Sequence, residues 1–392
     1  MKYFSHLNSA VQIINDYDGK HPFHQYLKNF FRAQRKYGSK DRKSISNLCY
    51  SYFRIGHLFQ QLTLPERITA ALFVCTDQPN EFLQQLKPDW ESLVVKNIRE
   101  KIEFINGSEF KAEEIFPWLE HLSPPIQKEE FAISHLLQPD LFIRLRPGKE
   151  KTVKSKLKDS GIEYNEISAG TLALKNSVAI DKLINLDEEA VVQDYSSQLT
   201  GNYLEEIRNK ISNPSPVIWD ACSGSGGKSI LCYDIFKKLS LDVSDIRPTI
   251  LHNLQSRFHT AGISNYHSFE ADLSIPNSTS NTKKYDLVIA DVPCSGSGTW
   301  GRTPEQLIYF DEKQIEWYAN LQKNILKNLV RNIQPNSFLL YITCSTFKIE
   351  NEEQVEFANQ TLGLNVVRSE IIPGYNKKAD TMFAAILTTS PV

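Results

Sequence analysis

The spacing of apolar positions changes three times along the chain. In SKDRKSISNLCYSYFRIG, Ile45, Leu48, Cys49, Tyr52 and Phe53 recur at three- and four-residue intervals. That is one face of an α-helix, and Ser39 stands where a cap is expected. The same period around ERITAALFVC and PNEFLQQL makes residues 1–128 a helical region. LSPPIQKEEF marks a boundary. LFIRLRP then reads as a strand, KEKTVKSKLKDSG as a basic helix stopped by Gly161, and GTLALK as another strand, so residues 129–195 form a small α/β module. From residue 196 to 392, apolar runs of strand length (PVIWDAC, LSLDVS, YDLVIADV, SFLLYITCS) alternate with amphipathic stretches. Continuous apolar runs in that alternation predict a parallel sheet covered on both faces. This is a doubly wound α/β domain, whose ligand belongs at the carboxyl ends of the strands.

Charge and cysteine usage narrow the picture. The net charge of −2 gives no global basic signature, yet the first sixty residues hold ten Lys and Arg against three Asp. Concentrated positive charge suggests a polyanionic partner. A solvated helix face balanced by acids elsewhere explains it equally well. Lys36, Lys40 and Arg42 are the nucleic-acid candidates in this segment. The helix bearing Lys149, Lys151, Lys154, Lys156 and Lys158 is either a surface helix or a second contact. The six cysteines are scattered, with none in metal-ligand spacing, so no metal site is expected. The first residues lack a signal-peptide core, and no apolar run approaches the roughly 20 residues of a membrane span. A reduced, cytoplasmic, monomeric protein is expected.

The polar ends of the strands carry the candidate chemistry. VIWDACSGSGGKS runs from a strand into a loop with Gly224, Gly226 and Gly227. A P-loop would require glycine at Cys222, and a dinucleotide fingerprint would require it at Ser229, so both fail. A strand ending in an acid followed by a short glycine turn suits S-adenosylmethionine, which has no phosphates. Asp220 can hold its ammonium side, and backbone N–H groups can face its carboxylate. An ordinary structural turn is the alternative. In LSLDVSDIR, Asp242 is placed to accept ribose hydroxyls, with Arg247 beside the same site. In HSFEADLS, Asp272 is placed to meet an adenine amino group. Each acid could instead cap a helix. Asp291 ends the next apolar run, and Pro293 and Cys294 follow it. FLLYITCST then ends in Cys344. A lone cysteine is most often core. Two at the ends of two strands, beside an expected cofactor, are not.

These motifs resemble the RsmB/Sun/NOL-type RNA 5-methylcytosine methyltransferases over most of the chain. VVQDYSSQL is similar to the stretch before that family's catalytic domain. DACSGSGGKS is similar to its cofactor loop, DVPCSGSG to its Pro-Cys motif, and TCSTFKIENEEQV to its Thr-Cys-Ser motif with the following Glu-Asn run. DTMFAAIL is similar to its terminal strand. The front helices are similar, more loosely, to the NusB-like RNA-binding extension of the bacterial ribosomal members, and the small module is RRM-like. One departure stands out. Where the family's loop usually reads Ala-Ala-Pro-Gly-Gly-Lys-Thr, residues 223–229 read Ser-Gly-Ser-Gly-Gly-Lys-Ser. Losing the proline is expected to loosen the empty loop.

The resemblance implies a class I methyltransferase fold with S-adenosylmethionine held by Asp220, Cys222, Ser223, Gly224, Gly226, Gly227, Lys228, Asp242, Arg247, Asp272 and Asp291. It implies that Cys344 is the attacking thiol, that Asp291 steadies the ring, and that Cys294 assists release. Carbon 5 of cytosine is a poor nucleophile until a thiolate adds at carbon 6. The target base must leave its stack to be reached, which favours a loop or bulge in RNA. Arg302 is a candidate phosphate contact. The NusB-like front, with no sizeable segment after the terminal strand, favours small-subunit ribosomal RNA over tRNA. An amino-group methyltransferase would need an aromatic Pro-Pro turn that DVPCSG lacks. A noncatalytic RNA-binding assembly factor remains the alternative of another class.

Overall fold

The computed structural model describes residues 2–275 and 281–390. By internal contacts the chain separates into two compact units. The first comprises residues up to Glu120, Gln127–Gln138 and Thr299–Asp311. The second comprises His121–Ile126, Pro139–Gly298 and the residues from Glu312 onward. Among the described residues, no helix is long and apolar enough to cross a membrane.

The first unit is helical, led by Lys2–Asp16, Phe23–Ala33, Ser39–Arg54 and Leu64–Cys75. Ile45, Leu48, Cys49 and Phe53 are buried as the periodicity requires. Ser39 is the first helical residue rather than the cap. Gly38 takes the cap position, and its N–H donates to Asp41 Oδ2 at 3.0 Å. Thr299–Asp311 joins this unit although it follows the Pro-Cys motif in sequence. The reason is aromatic burial. Trp300 and Phe310 pack against each other and against Trp118, and Trp300 also meets Phe116. Tyr309 packs on Tyr17, and Glu305 Oε1 accepts the N–H of Phe23 at 3.1 Å.

The second unit contains two sheets. Strands β1 (Leu141–Leu145), β2 (Asn165–Ser168), β3 (Thr171–Leu174) and β4 (Ala190–Val192) form an antiparallel sheet in the order β2-β3-β1-β4. One face buries Ile143, Leu145, Leu172 and Leu174 against Val153 and Leu157 of the basic helix Glu150–Asp159. The other face sets Phe142 and Ala173 against Tyr195 and Ala379, so the small module shares its packing with the rest of its unit. Lys149, Lys154 and Lys156 pair with Glu188, Glu166 and Glu189, so acids of the same unit answer much of that helix's charge.

The large sheet comprises β5 (Val217–Asp220), β6 (Ser240–Asp245), β7 (Tyr266–Glu270), β8 (Tyr285–Asp291), β9 (Ile333–Thr343), β10 (Asn365–Ile372) and β11 (Met382–Thr388). Their order is β10-β11-β9-β8-β5-β6-β7. β5 to β9 are mutually parallel, whereas β11 is antiparallel to both of its neighbours. The sheet is therefore mixed rather than purely parallel, because the last strand inserts between β9 and β10. Strand order reverses between β5 and β8. A doubly wound sheet opens a ligand crevice at such a switch point, beyond the carboxyl ends.

Candidate functional site

β5 ends at Asp220, which is fully buried. Ser229 Oγ, from the first turn of the helix Gly227–Phe236, donates to Asp220 Oδ2 at 2.5 Å. Asp220 Oδ1 has no hydrogen-bond partner among the described residues. Burial, opposed by the Ser229 hydrogen bond, pushes the Asp220 carboxyl up to about 7. The loop above it turns through Gly224 (φ +52°) and Gly226 (φ +88°). A Cβ on Gly226 would come within 2.8 Å of Phe258, so only glycine fits that position. A Cβ on Gly224 or Gly227 would meet nothing within 4 Å, so both backbones face open space. Ser223 anchors the loop through its N–H and Oγ, both donating to the Ser244 carbonyl. Cys222 is half-buried, and burial pushes its thiol up. Ser225 stands where the family has proline. Arg257 Nη1 donates to its carbonyl and its Oγ at 3.0 Å, and Asp187 holds the guanidinium in turn. A side-chain clamp thus replaces the ring that would have stiffened this turn.

The acid of the second strand is corrected by the geometry. β6 continues three residues past Asp242, which leaves that carboxylate in mid-strand. It is buried, and it accepts from Lys283 Nζ at 2.9 and 3.0 Å and from Tyr285 hydroxyl at 2.7 Å, at the amino end of β8. Asp242 is therefore not at the crevice. Asp245 occupies the strand end instead. Its Oδ2 accepts the Gly224 N–H at 3.0 Å, and its Oδ1 accepts the Arg247 N–H at 2.9 Å. Arg247 also pairs with it through the guanidinium. Asp272 follows β7 and accepts from the N–H and Oγ of Ser274.

The two cysteines meet. Cys294 follows β8, Cys344 follows β9, and their sulfurs lie 3.2 Å apart as free thiols. The hydrogen bond with Cys344 first, and burial second, push the Cys294 thiol well above its ordinary value. Gly298 N–H donates to the Cys344 carbonyl, and the Gly298 carbonyl accepts from Thr381. A Cβ there would sit 1.9 Å from the Thr381 oxygen. On the β5 side, Lys228 Nζ lies 3.1 Å from Asp291 Oδ2 and donates to Ser197 Oγ at 2.8 Å. Lys228 is buried, whereas the Asp291 side chain remains 30% exposed. The segment His121–Ile126 braces the Cys344 loop. Ser123 N–H donates to the Thr346 carbonyl, and Ser123 Oγ donates to Glu352.

One rim therefore gathers Asp220, the glycine loop, Asp245, Lys228, Asp291, Cys294 and Cys344. Lys36, Lys40, Arg42 and Arg302 belong to the helical unit. Lys36, Lys40 and Arg42 are exposed there, Lys36 lies over the Tyr37 ring, and Arg302 is half-buried after Trp300. Sequence reasoning missed Asp245 and Ser197. Asp245 was legible as the acid two residues before Arg247 and the helix-starting Pro248. Ser197 lies within VVQDYSSQL, but nothing in that stretch singles it out.

A sheet of this order, with its last strand reversed and a glycine turn after its first strand, defines a class I S-adenosylmethionine-dependent methyltransferase fold. The crystal structure of PH0851 shares that fold with TM-score 0.70 at 19% identity, covering 99% of this chain and 98% of that one. NSun6 from Pyrococcus horikoshii, solved with SFG, matches with TM-score 0.56 at 15% identity, covering 70% of this chain and 100% of that one. Residues 211–387, which carry the large sheet and its site, match the family model 16S rRNA methyltransferase RsmB/F. Ribosomal RNA small subunit methyltransferase B of Xylella fastidiosa is 27% identical over 224 residues, 55% of this chain and 49% of that protein. The chain spans about half the length of the curated relatives it matches. The resemblance seen in the Pro-Cys and Thr-Cys-Ser motifs thus extends across residues 211–387. The residues present fit S-adenosylmethionine: an unpartnered buried carboxylate oxygen suits an ammonium, and open glycine backbone suits a carboxylate.

Proposed function

We propose that the chain methylates carbon 5 of a cytosine in RNA, through a transient bond between Cys344 Sγ and carbon 6 of the ring. The observation that carries this reading is the 3.2 Å contact of two free thiols at adjacent strand ends. S-adenosylmethionine supplies an electrophilic methyl group. Asp220 and the Gly224–Gly227 backbone hold its amino-acid end, Asp245 its ribose and Asp272 its adenine.

A thiol is only a few per cent thiolate at neutral pH. As the ring is engaged, the Cys344 thiol gives its proton to solvent, and the Cys294 S–H donates to the resulting sulfur anion. Cys344 Sγ adds to carbon 6, and the displaced electron pair makes carbon 5 nucleophilic. Asp291, kept in place by Lys228, hydrogen-bonds the ring edge. Once Cys344 is bonded to carbon, Cys294 loses the acceptor that contributes most to its raised thiol value. Cys294 then ionises more readily, at the stage when a base must take the carbon 5 proton. Removing that proton re-forms the ring double bond and expels Cys344.

The family description and the names of the curated relatives support small-subunit ribosomal RNA as the substrate. The exposed Lys36, Lys40 and Arg42, with Arg302, supply cations for phosphates, so binding should weaken steeply with salt. The test is methyl transfer from labelled cofactor to RNA from cells lacking the protein, with bisulfite sequencing to locate the product. One or more cytosines should gain 5-methylation with wild type and none with Cys344→Ala. Turnover by Cys344→Ala at the wild-type rate would overturn the reading.

A further inference from the structure

Beneath the two thiols lies a hydrogen-bonded assembly that the chemistry above does not use. Glu350 is fully buried. Its Oε2 accepts from the Ser295 N–H at 2.9 Å and from Gln322 Nε2 at 2.9 Å. The same Gln322 amide donates to the Pro293 carbonyl at 3.0 Å. Both neighbours of Cys294 in the chain are therefore tied to this point. The other oxygen, Oε1, accepts from Ser345 Oγ at 2.6 Å, and Ser345 directly follows Cys344. Ser295 Oγ and Ser345 Oγ also meet at 3.1 Å.

We propose that Glu350 is a positioning residue: one carboxylate oxygen takes the Cys294 loop, the other takes the Cys344 loop, and the pair of bonds sets the sulfur–sulfur contact. Three donors converge on Glu350. A carboxylate, which only accepts, satisfies all three, whereas glutamine would aim an N–H at one of the existing donors. The negative charge of Glu350 also adds to the Cys344 hydrogen bond and burial in keeping Cys294 protonated. The kinetic consequence rests on the methyl-transfer reading, whereas the geometric claim does not.

The experiment measures both in Glu350→Gln. Sulfur contact is read by oxidation with diamide: each thiol gives up one proton and one electron, an S–S bond forms between Cys294 and Cys344, and the diazene is reduced to the hydrazine. Peptide mapping follows the rate of that link. Wild type should form it rapidly, and Glu350→Gln roughly tenfold or more slowly, with cofactor affinity unchanged. Methyl transfer should lose about 10²-fold in kcat, the scale of a misplacement of ~1 Å, with KM for S-adenosylmethionine retained. A folded Glu350→Gln protein that cross-links and turns over like wild type would overturn the proposal. Should that variant fail to fold, Ser345→Ala removes the arm to the Cys344 loop, together with the contacts of Ser345 Oγ to Ser295 Oγ and the Phe347 N–H, and leaves the Cys294 arm in place. Slower cross-linking there supports the bracket, and wild-type cross-linking counts against it. If wild type methylates no RNA yet Glu350→Gln slows the cross-link, the functional reading fails and the bracket stands.

Discussion

Asp220 and Glu350 are both buried carboxylates beneath the same rim, and their hydrogen bonding differs. Glu350 receives three donors across its two oxygens. Asp220 receives the Ser229 hydroxyl on one oxygen, and its other oxygen is unpartnered among the described residues. An unmet buried acceptor costs about 1–3 kcal/mol. The thiol half of the site is completed by the chain itself, so its geometry exists before substrate arrives. The cofactor half is incomplete until a cation binds, so its cost is relieved on binding. On the proposed methyl-transfer reading, the nucleophile needs a fixed position, whereas the ligand pocket needs an unmet partner.

Paired substitutions break the comparison most strongly. Asp220→Asn should weaken cofactor binding by about 10–100-fold, the worth of a hydrogen bond to a charged group. Above about pH 7, where the wild-type carboxyl is charged, it should also raise the melting temperature of the empty protein, because a buried charge is gone. Glu350→Gln should instead keep cofactor affinity and lower the melting temperature. Calorimetric titration and thermal melts read the crossover, and parallel behaviour of the two variants would erase the distinction.

The pH dependence sharpens it. The Asp220 carboxyl moves from 3.8 to about 7 on folding. A raised acid is favoured when protonated, so the empty protein should lose stability as pH rises from about 4 to 7. Cofactor affinity should move oppositely and tighten across the approach to pH 7, because only the carboxylate attracts an ammonium. Affinity that stays flat between about pH 5 and 8 would remove Asp220 from the contact.

Two smaller effects separate neighbours. Asp245→Ala should weaken cofactor binding by about tenfold, whereas Asp242→Asn should leave it intact and cost about 1–3 kcal/mol of stability. Equal effects on binding would mean that the strand-end assignment is wrong. Arg257→Ala frees Ser225 and should weaken binding by only about threefold, near the low end of what one hydrogen bond contributes, because the lost contacts hold the turn rather than the cofactor. An unchanged affinity would show that the glycine turn holds itself without the clamp.

What could be read in advance follows from range. The strands β5, β8 and β9 were legible because burial on both faces leaves uninterrupted apolar runs, and those runs end on Asp220, Asp291 and Cys344. Asp242 was misplaced because LSLDVSDIR offers two acids, and the tie to Lys283 and Tyr285 crosses about forty residues of sequence. β2 reads NEIS, with little apolar signal, and β4 is three residues long, so neither stood out. Trp300 and Phe310 follow the Pro-Cys motif in sequence, yet their burial is decided by Phe116 and Trp118 far upstream. Glu350 was visible as a letter in the Glu-Asn run, but its two-sided hydrogen bonding was not.

The role of Cys344 is tested most directly by trapping. Cys294→Ala should stall after methyl transfer, leaving protein covalently joined to RNA. After nuclease digestion, mass spectrometry should find a methylated cytosine on the peptide containing Cys344 and on no other cysteine. A nucleotide carried by a different residue, or sustained methylation with no trapped species, would contradict it.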